Sequence, residues 1–206
     1  MYFCERKGCF IERTKVQKLA RVLRILVMVT LVVNLLAILM IPGLLYHNPH
    51  NLIGGAKEFV GSIVYAGEDD IVAAGIFGVV FSWVLVLMDP GVFPLGGCVF
   101  LLICGVCTAV ILRQALWILD TIQQGNPFQI SNAKAMKRAA LCCWGISAVA
   151  LIRLLWELGQ LKNIAPFFTY NALFIPVFFM GGLLFLVMSA LFRQAAELQE
   201  DQNLTI

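Results

Sequence analysis

Residues 21–41 read RVLRILVMVTLVVNLLAILMI, and this stretch decides the fold. From Ile25 to Ile41 no residue carries a charge, and the apolar character extends to about Leu19 on one side and Tyr46 on the other. About 20 apolar residues cross the hydrocarbon core of a bilayer as a helix. A cleavable signal core is shorter, about 7–15 residues, and is followed by a small-residue cleavage site. No such site follows Ile41, so the stretch is expected to be a permanent span. The whole chain agrees with it: 61% of the 206 residues are hydrophobic and 13% are charged, and the mean hydropathy is +0.89. A soluble domain has about a quarter of its residues charged, so lipid must cover part of this apolar surplus.

Outward from that stretch, the charges set a topology. Arg6, Lys7, Arg13, Lys15, Lys18, Arg21 and Arg24 precede the span. Such a basic cluster is retained in the cytoplasm and can touch anionic lipid headgroups. On the far side, residues 47–70 hold Glu58, Glu68, Asp69 and Asp70 against Lys57 alone, which suits the outside. Four further apolar segments follow: 71–88, 95–117, 139–158 and 169–192. The polar connection from Asp120 to Arg138, with Lys134, Lys137 and Arg138, belongs inside by the same charge rule.

Five apolar segments conflict with that rule, because an even number of crossings must separate the N-terminus from the Asp120–Arg138 connection. Either one segment does not cross, with 71–88 the one expected not to, or the charge rule fails and the protein has five true spans. The segment 71–88 contains Gly75 and Gly78, lies between acidic ends, and has no basic anchor. The expected fold is therefore all-α, an integral membrane four-helix bundle with an extra apolar segment that is re-entrant or lies against the outer face. The chain is read as one membrane domain, residues 1–206, with spans at about 19–46, 95–117, 139–158 and 169–192. An extracytoplasmic insertion, 47–94, carries the segment 71–88. Both termini are placed in the cytoplasm.

Polar residues at membrane depth are functional candidates by default, and the sequence offers four. Asn34 interrupts the first span and is expected to hydrogen-bond to another helix. Arg113 lies near a span end, where it can snorkel to the headgroups. Arg153 and Glu157 are one turn apart and should pair on one helix face. No chain of buried acids marks an ion pathway.

Cys4 and Cys9 supply two of the four ligands a structural zinc site needs, and His47 and His50 have no third ligand beside them. The remaining cysteines, 98, 104, 107, 142 and 143, lie in apolar segments where the thiol is a small hydrophobe. Ser131-x-x-Lys134 lacks the companion motifs of penicillin-binding enzymes, and no nucleophile elbow, P-loop or H-E-x-x-H is present. No enzyme, cofactor or metal site is expected, and nothing points to direct nucleic-acid contact. Association with further copies of the chain is compatible with the sequence.

The most informative polar stretch is ILDTIQQGNPFQISNAKAMKR, residues 118–138. Gly125 is expected to end a helix through a positive φ, and Pro127 holds Asn126 extended. Phe128 then has a ring to bury, and Ser131 or Asn132 can cap the next helix. The chain ends AAELQEDQNLTI, an acidic segment closing on apolar residues.

Together these two stretches resemble a domain-of-unknown-function family of small four-span bacterial membrane proteins. Gly125, Pro127, Phe128 and Asn132 match its Gly/Asn-x-x-Phe-x-x-x-Asn elbow. Asn203, Leu204, Thr205 and Ile206 match its Asp/Asn-Leu-Thr-Ile/Val ending. The resemblance covers the first span and Leu95 onward. It implies four spans with cytoplasmic termini, a bacterial inner membrane, and a gene neighbour encoding a small Cro-like helix-turn-helix regulator. Gly125, Pro127, Phe128, Asn132, Leu204, Thr205 and Ile206 are therefore the candidate partner-binding residues. The expected role is a membrane partner or sensor for that regulator. The alternative is a transporter or immunity-type protein acting on a small molecule or peptide through the 47–94 insertion.

Overall fold

The structure, a computed structural model, describes residues 3–47, 54, 57, 58, 61, 71–88, 95–125, 128–161 and 170–204. It is all-α. The helices are α1 (Phe3–His47), α2 (Ile71–Met88), α3 (Leu95–Gln123), α4 (Ile130–Leu161) and α5 (Tyr170–Leu204). Four of them contain stretches long and apolar enough to cross a membrane: Lys18–Gly43, Gly96–Gln123, Ile130–Gly159 and Ala172–Gln202. The chain is a multi-pass membrane protein, and its long helices outrun the apolar segments where polar residues continue them, as at the start of α1 and α4 and the end of α3 and α5. Helix α2 is the shorter apolar helix, about 27 Å long at 1.5 Å per residue, just under a hydrocarbon core of about 30 Å.

The chain divides into two units, Met1–Val33 with Cys107–Ile206, and Asn34–Val106. In the first, α4 is the organising helix. Its buried side chains recur every third or fourth residue, through Asn132, Ala135, Ala139, Cys143, Ile146, Ala150 and Leu154. Most are small. Lipid tails are as apolar as leucine, so membrane helices associate through close approach and polar contacts rather than water exclusion. Small residues at helical spacing provide that approach.

Helix α5 packs antiparallel along this face. Ser147 Oγ donates to the Ile175 carbonyl at 3.0 Å, beside Pro176, whose ring disturbs the local helix ladder. The rings of Trp144 and Phe179 stack at 6.5 Å. Gly182 faces Trp144 so closely that a Cβ there would stand 2.5 Å from the indole Nε1 and 3.2 Å from the Ala140 carbonyl oxygen. Further along, Ser189 Oγ donates to the Ala133 carbonyl at 2.7 Å. These four contacts are the rungs of one register.

In the second unit the C-terminal part of α1 packs against the N-terminal part of α3. Ile41, Leu45 and Cys98 form a buried cluster flanked by Leu101 and Leu102, and Ile38 lies over Gly105. Later α1 residues thus meet earlier α3 residues, so the two helices are antiparallel here. This bears on the conflict among the five apolar segments: the intervening chain leaves α1 and enters α3 at the same end of the pair. Pro42 within α1 has no N–H for the Ile38 carbonyl, and the neighbouring Leu39 carbonyl accepts a 3.0 Å bond from the indole nitrogen of Trp83 in α2. Ser82 Oγ bonds back to the Gly78 carbonyl at 2.5 Å.

Candidate functional site

The candidate elbow joins α3 to α4 in the first unit. Gln124 N donates to the Asp120 carbonyl at 3.1 Å, and Gly125 N to the Ile122 carbonyl at 3.1 Å. The second bond spans three residues instead of four and tightens the helix end. Gly125 then takes φ +82°, as the sequence led us to expect. Open space surrounds its missing Cβ, so the preference for glycine is a backbone matter alone.

Helix α4 starts at Ile130, ahead of both residues expected to cap it. Ser131 Oγ instead donates to the Gln129 side-chain oxygen at 3.1 Å, and Asn132 N donates to the Gln129 carbonyl at 3.0 Å. Asn132 is fully enclosed, at 0% exposure. Its Nδ2 donates to Thr121 Oγ1 at 2.7 Å, and Thr121 Oγ1 donates to the Ile118 carbonyl at 2.7 Å. The first bond lashes the first turn of α4 to the last turns of α3, and the second, within α3, orients the hydroxyl that accepts it. Asn132 therefore positions the elbow from inside and offers nothing to the outside.

Phe128 behaves differently. Its ring meets Phe192 of α5 at 5.8 Å with a 45° tilt, yet 48% of the residue stays exposed, and neighbouring Ile130 is 45% exposed. From the other side, Arg24 of α1 reaches Asp120 at 3.0 Å and Gln123 Oε1 at 3.5 Å. The beginning of the α1 span, the end of α3, the start of α4 and the distal part of α5 thus meet at one end of this unit.

Sequence reasoning missed Thr121, Ser189 and the Arg24–Asp120 pair. A signal existed for the last: Asp120 is the one acid between Asp89 and Glu157, and Arg24 is the basic residue nearest the first span. The two hydroxyls carry no comparable mark, since isolated Ser and Thr are common in membrane helices.

The ending is placed elsewhere. Helix α5 continues twelve residues past Phe192 to Leu204, about 18 Å at the helical rise. It carries a solvent-facing Arg193–Glu197 pair at 2.9 Å. The elbow and the end of the tail are therefore not brought into one patch. Pro127, Thr205 and Ile206 lie outside the described residues, as do His50 and the side chains of Leu204, His47, Cys4 and Cys9. Of the residues at membrane depth, Arg153 pairs with Glu157 at 2.9 Å as expected, and Arg113 is exposed. The buried Oδ1 of Asn34 has no hydrogen-bond donor among the described residues, so the interhelical bond expected there is not formed through that atom.

A family profile described as "Protein of unknown function (DUF2975)" matches residues 24–206. The chain belongs to the DUF2975 family. The matched range holds every part of the elbow, the Arg24–Asp120 pair and the tail. No curated protein and no solved structure matches the chain, so within DUF2975 a role has to be argued from the site itself.

Proposed function

We propose that this chain is a non-enzymatic membrane partner that holds or releases a small cytoplasmic helix-turn-helix regulator through its elbow and C-terminal tail. One observation carries the reading: the elbow is locked from within by Asn132 and Thr121 while it presents Phe128 and Ile130 outward, next to a helical tail that projects beyond it. A rigid apolar knob beside a projecting acidic helix suits a protein partner better than a solute. The same end gathers the basic start of α1 and the Lys134, Lys137 and Arg138 turn of α4. The positive-inside rule then favours a cytoplasmic location for it, with both termini on that side and α2 not completing a crossing. The identity of the partner and the bacterial setting rest on the family resemblance.

Co-purification of the neighbouring regulator tests the reading. Full-length protein should retain it, and a chain ending at Arg193 or carrying Phe128→Ser should lose most of it. Equal recovery with all three, or none with the full-length chain, sinks the proposal. Labelling of single cysteines placed in the elbow and in the tail, from each side of the membrane, tests the orientation separately.

A further inference from the structure

Three cations lie at one depth on adjoining helices of the first unit. Helices α3 and α4 run antiparallel through the elbow, with Thr121 bonded to Asn132 and the Cys107 sulfur 3.9 Å from where a Cβ on Gly145 would stand. That register sets Arg113 of α3 level with Lys137 and Arg138 of α4. The depth can be read from the pair Arg24–Asp120, because Arg24 marks the start of the uncharged stretch Ile25–Ile41. Arg113 is two helical turns from Asp120 towards the middle of the span, roughly 10 Å. Arg113 therefore lies within the apolar stretch of α3, level with the point where α4 turns apolar after Lys137 and Arg138.

All three are exposed, and none has an acid partner among the described residues. At the same end of the unit, Asp120 is engaged by Arg24 and Glu197 by Arg193. On α4, Lys134, Lys137 and Arg138 continue at helical spacing into Leu141, Leu151, Ile152 and Leu155, which are exposed and apolar. The basic face is thus the upper part of the lipid-facing face. One turn from Arg113 towards the elbow lies Trp117, 58% exposed, a residue type suited to the headgroup boundary. An unpaired cation at this depth must snorkel outward or recruit an anion, and the anion that reaches a lipid-facing site is a phospholipid phosphate.

We propose that Arg113, Lys137 and Arg138 form a binding site for the phosphate of an anionic phospholipid whose acyl chains lie along the α4 stripe below. Basic clusters between membrane helices bind such headgroups. A free phosphate fits less well, because the site opens onto acyl chains and not onto water.

The test uses the full-length chain in detergent with equal amounts of phosphatidylglycerol and phosphatidylcholine, bound lipid being counted by native mass spectrometry. Phosphatidylglycerol should be retained selectively, with about a 5-fold loss of affinity for each cation removed in R113Q, K137Q and R138Q. K137R should keep the binding, and the outer pair K18Q/R21Q should alter it little. Equal retention of the two lipids, or an unchanged preference in R113Q/K137Q/R138Q, overturns the proposal. Displacement of phosphatidylglycerol by inorganic phosphate alone overturns it in favour of a free-phosphate site. Should the triple variant not fold, quenching of the unmodified protein's tryptophans by chain-brominated lipids decides the matter. Stronger quenching by phosphatidylglycerol supports the site, and equal quenching by both lipids refutes it.

Discussion

The elbow end of the first unit and the α1–α3 contact of the second are built differently. At the elbow, directional bonds dominate: Asn132 to Thr121, Ser189 to the Ala133 carbonyl, and Arg24 to Asp120. In the second unit, Ile38, Ile41, Leu45 and Cys98 meet by shape, with one indole bond from Trp83 beside the break made by Pro42. Lipid gives little hydrophobic drive to helix pairing, so either device must supply specificity. Shape contacts hold two helices side by side and tolerate small shifts. Hydrogen bonds fix a register and a connection. The stricter device is found where the chain must present an exposed aromatic in a defined place.

The sharpest way to break this contrast is at the two close-approach glycines. Gly182 faces an indole and a backbone carbonyl, neither of which can yield easily, so Gly182→Ala should destabilise the α4–α5 pair by about 1–3 kcal/mol. Gly105 faces only the Ile38 side chain, with Cγ1 2.6 Å from an added Cβ, and that side chain can rotate. Gly105→Ala should cost less than Gly182→Ala, under about 1 kcal/mol. Reversible unfolding in mixed micelles compares the two, and the opposite order would show that the rigid contact is not at α4–α5.

The next effect concerns the enclosed amide. Asn132→Ala and Thr121→Val should each weaken the elbow, and a double-mutant cycle should return a coupling of about 0.6–1.7 kcal/mol. Zero coupling would reduce the bond to a packing contact. Gly125→Ala should cost about 1 kcal/mol through the positive φ alone, and Gly125→Asn less, measured in the same assay. Identical losses for the two variants would point away from the backbone. The smallest effect is expected at Arg24→Gln. Its pair with Asp120 is partly exposed on both sides, so about 0–1 kcal/mol is at stake. The difference should shrink in high salt if the pair lies within reach of water.

The sequence by itself determined that this chain lives in a membrane and that it is all-helical, with four long apolar helices. These depend on the cost of exposing apolar groups and unpaired backbone, which adds up along the chain and needs no partner. The helix end at Gly125 and the pair Arg153–Glu157 were legible too, because both are settled within one or two turns. Tertiary structure alone decided which residues pair across helices. It enclosed Asn132 and left Phe128 half outside, although both belong to the same short motif. It also joined Arg24 to Asp120, ninety-six positions apart, and set Arg113 level with Lys137 and Arg138. Hydropathy measures how much surface lipid can cover, but a register depends on the complementarity of two helix faces, and no single stretch of sequence contains both.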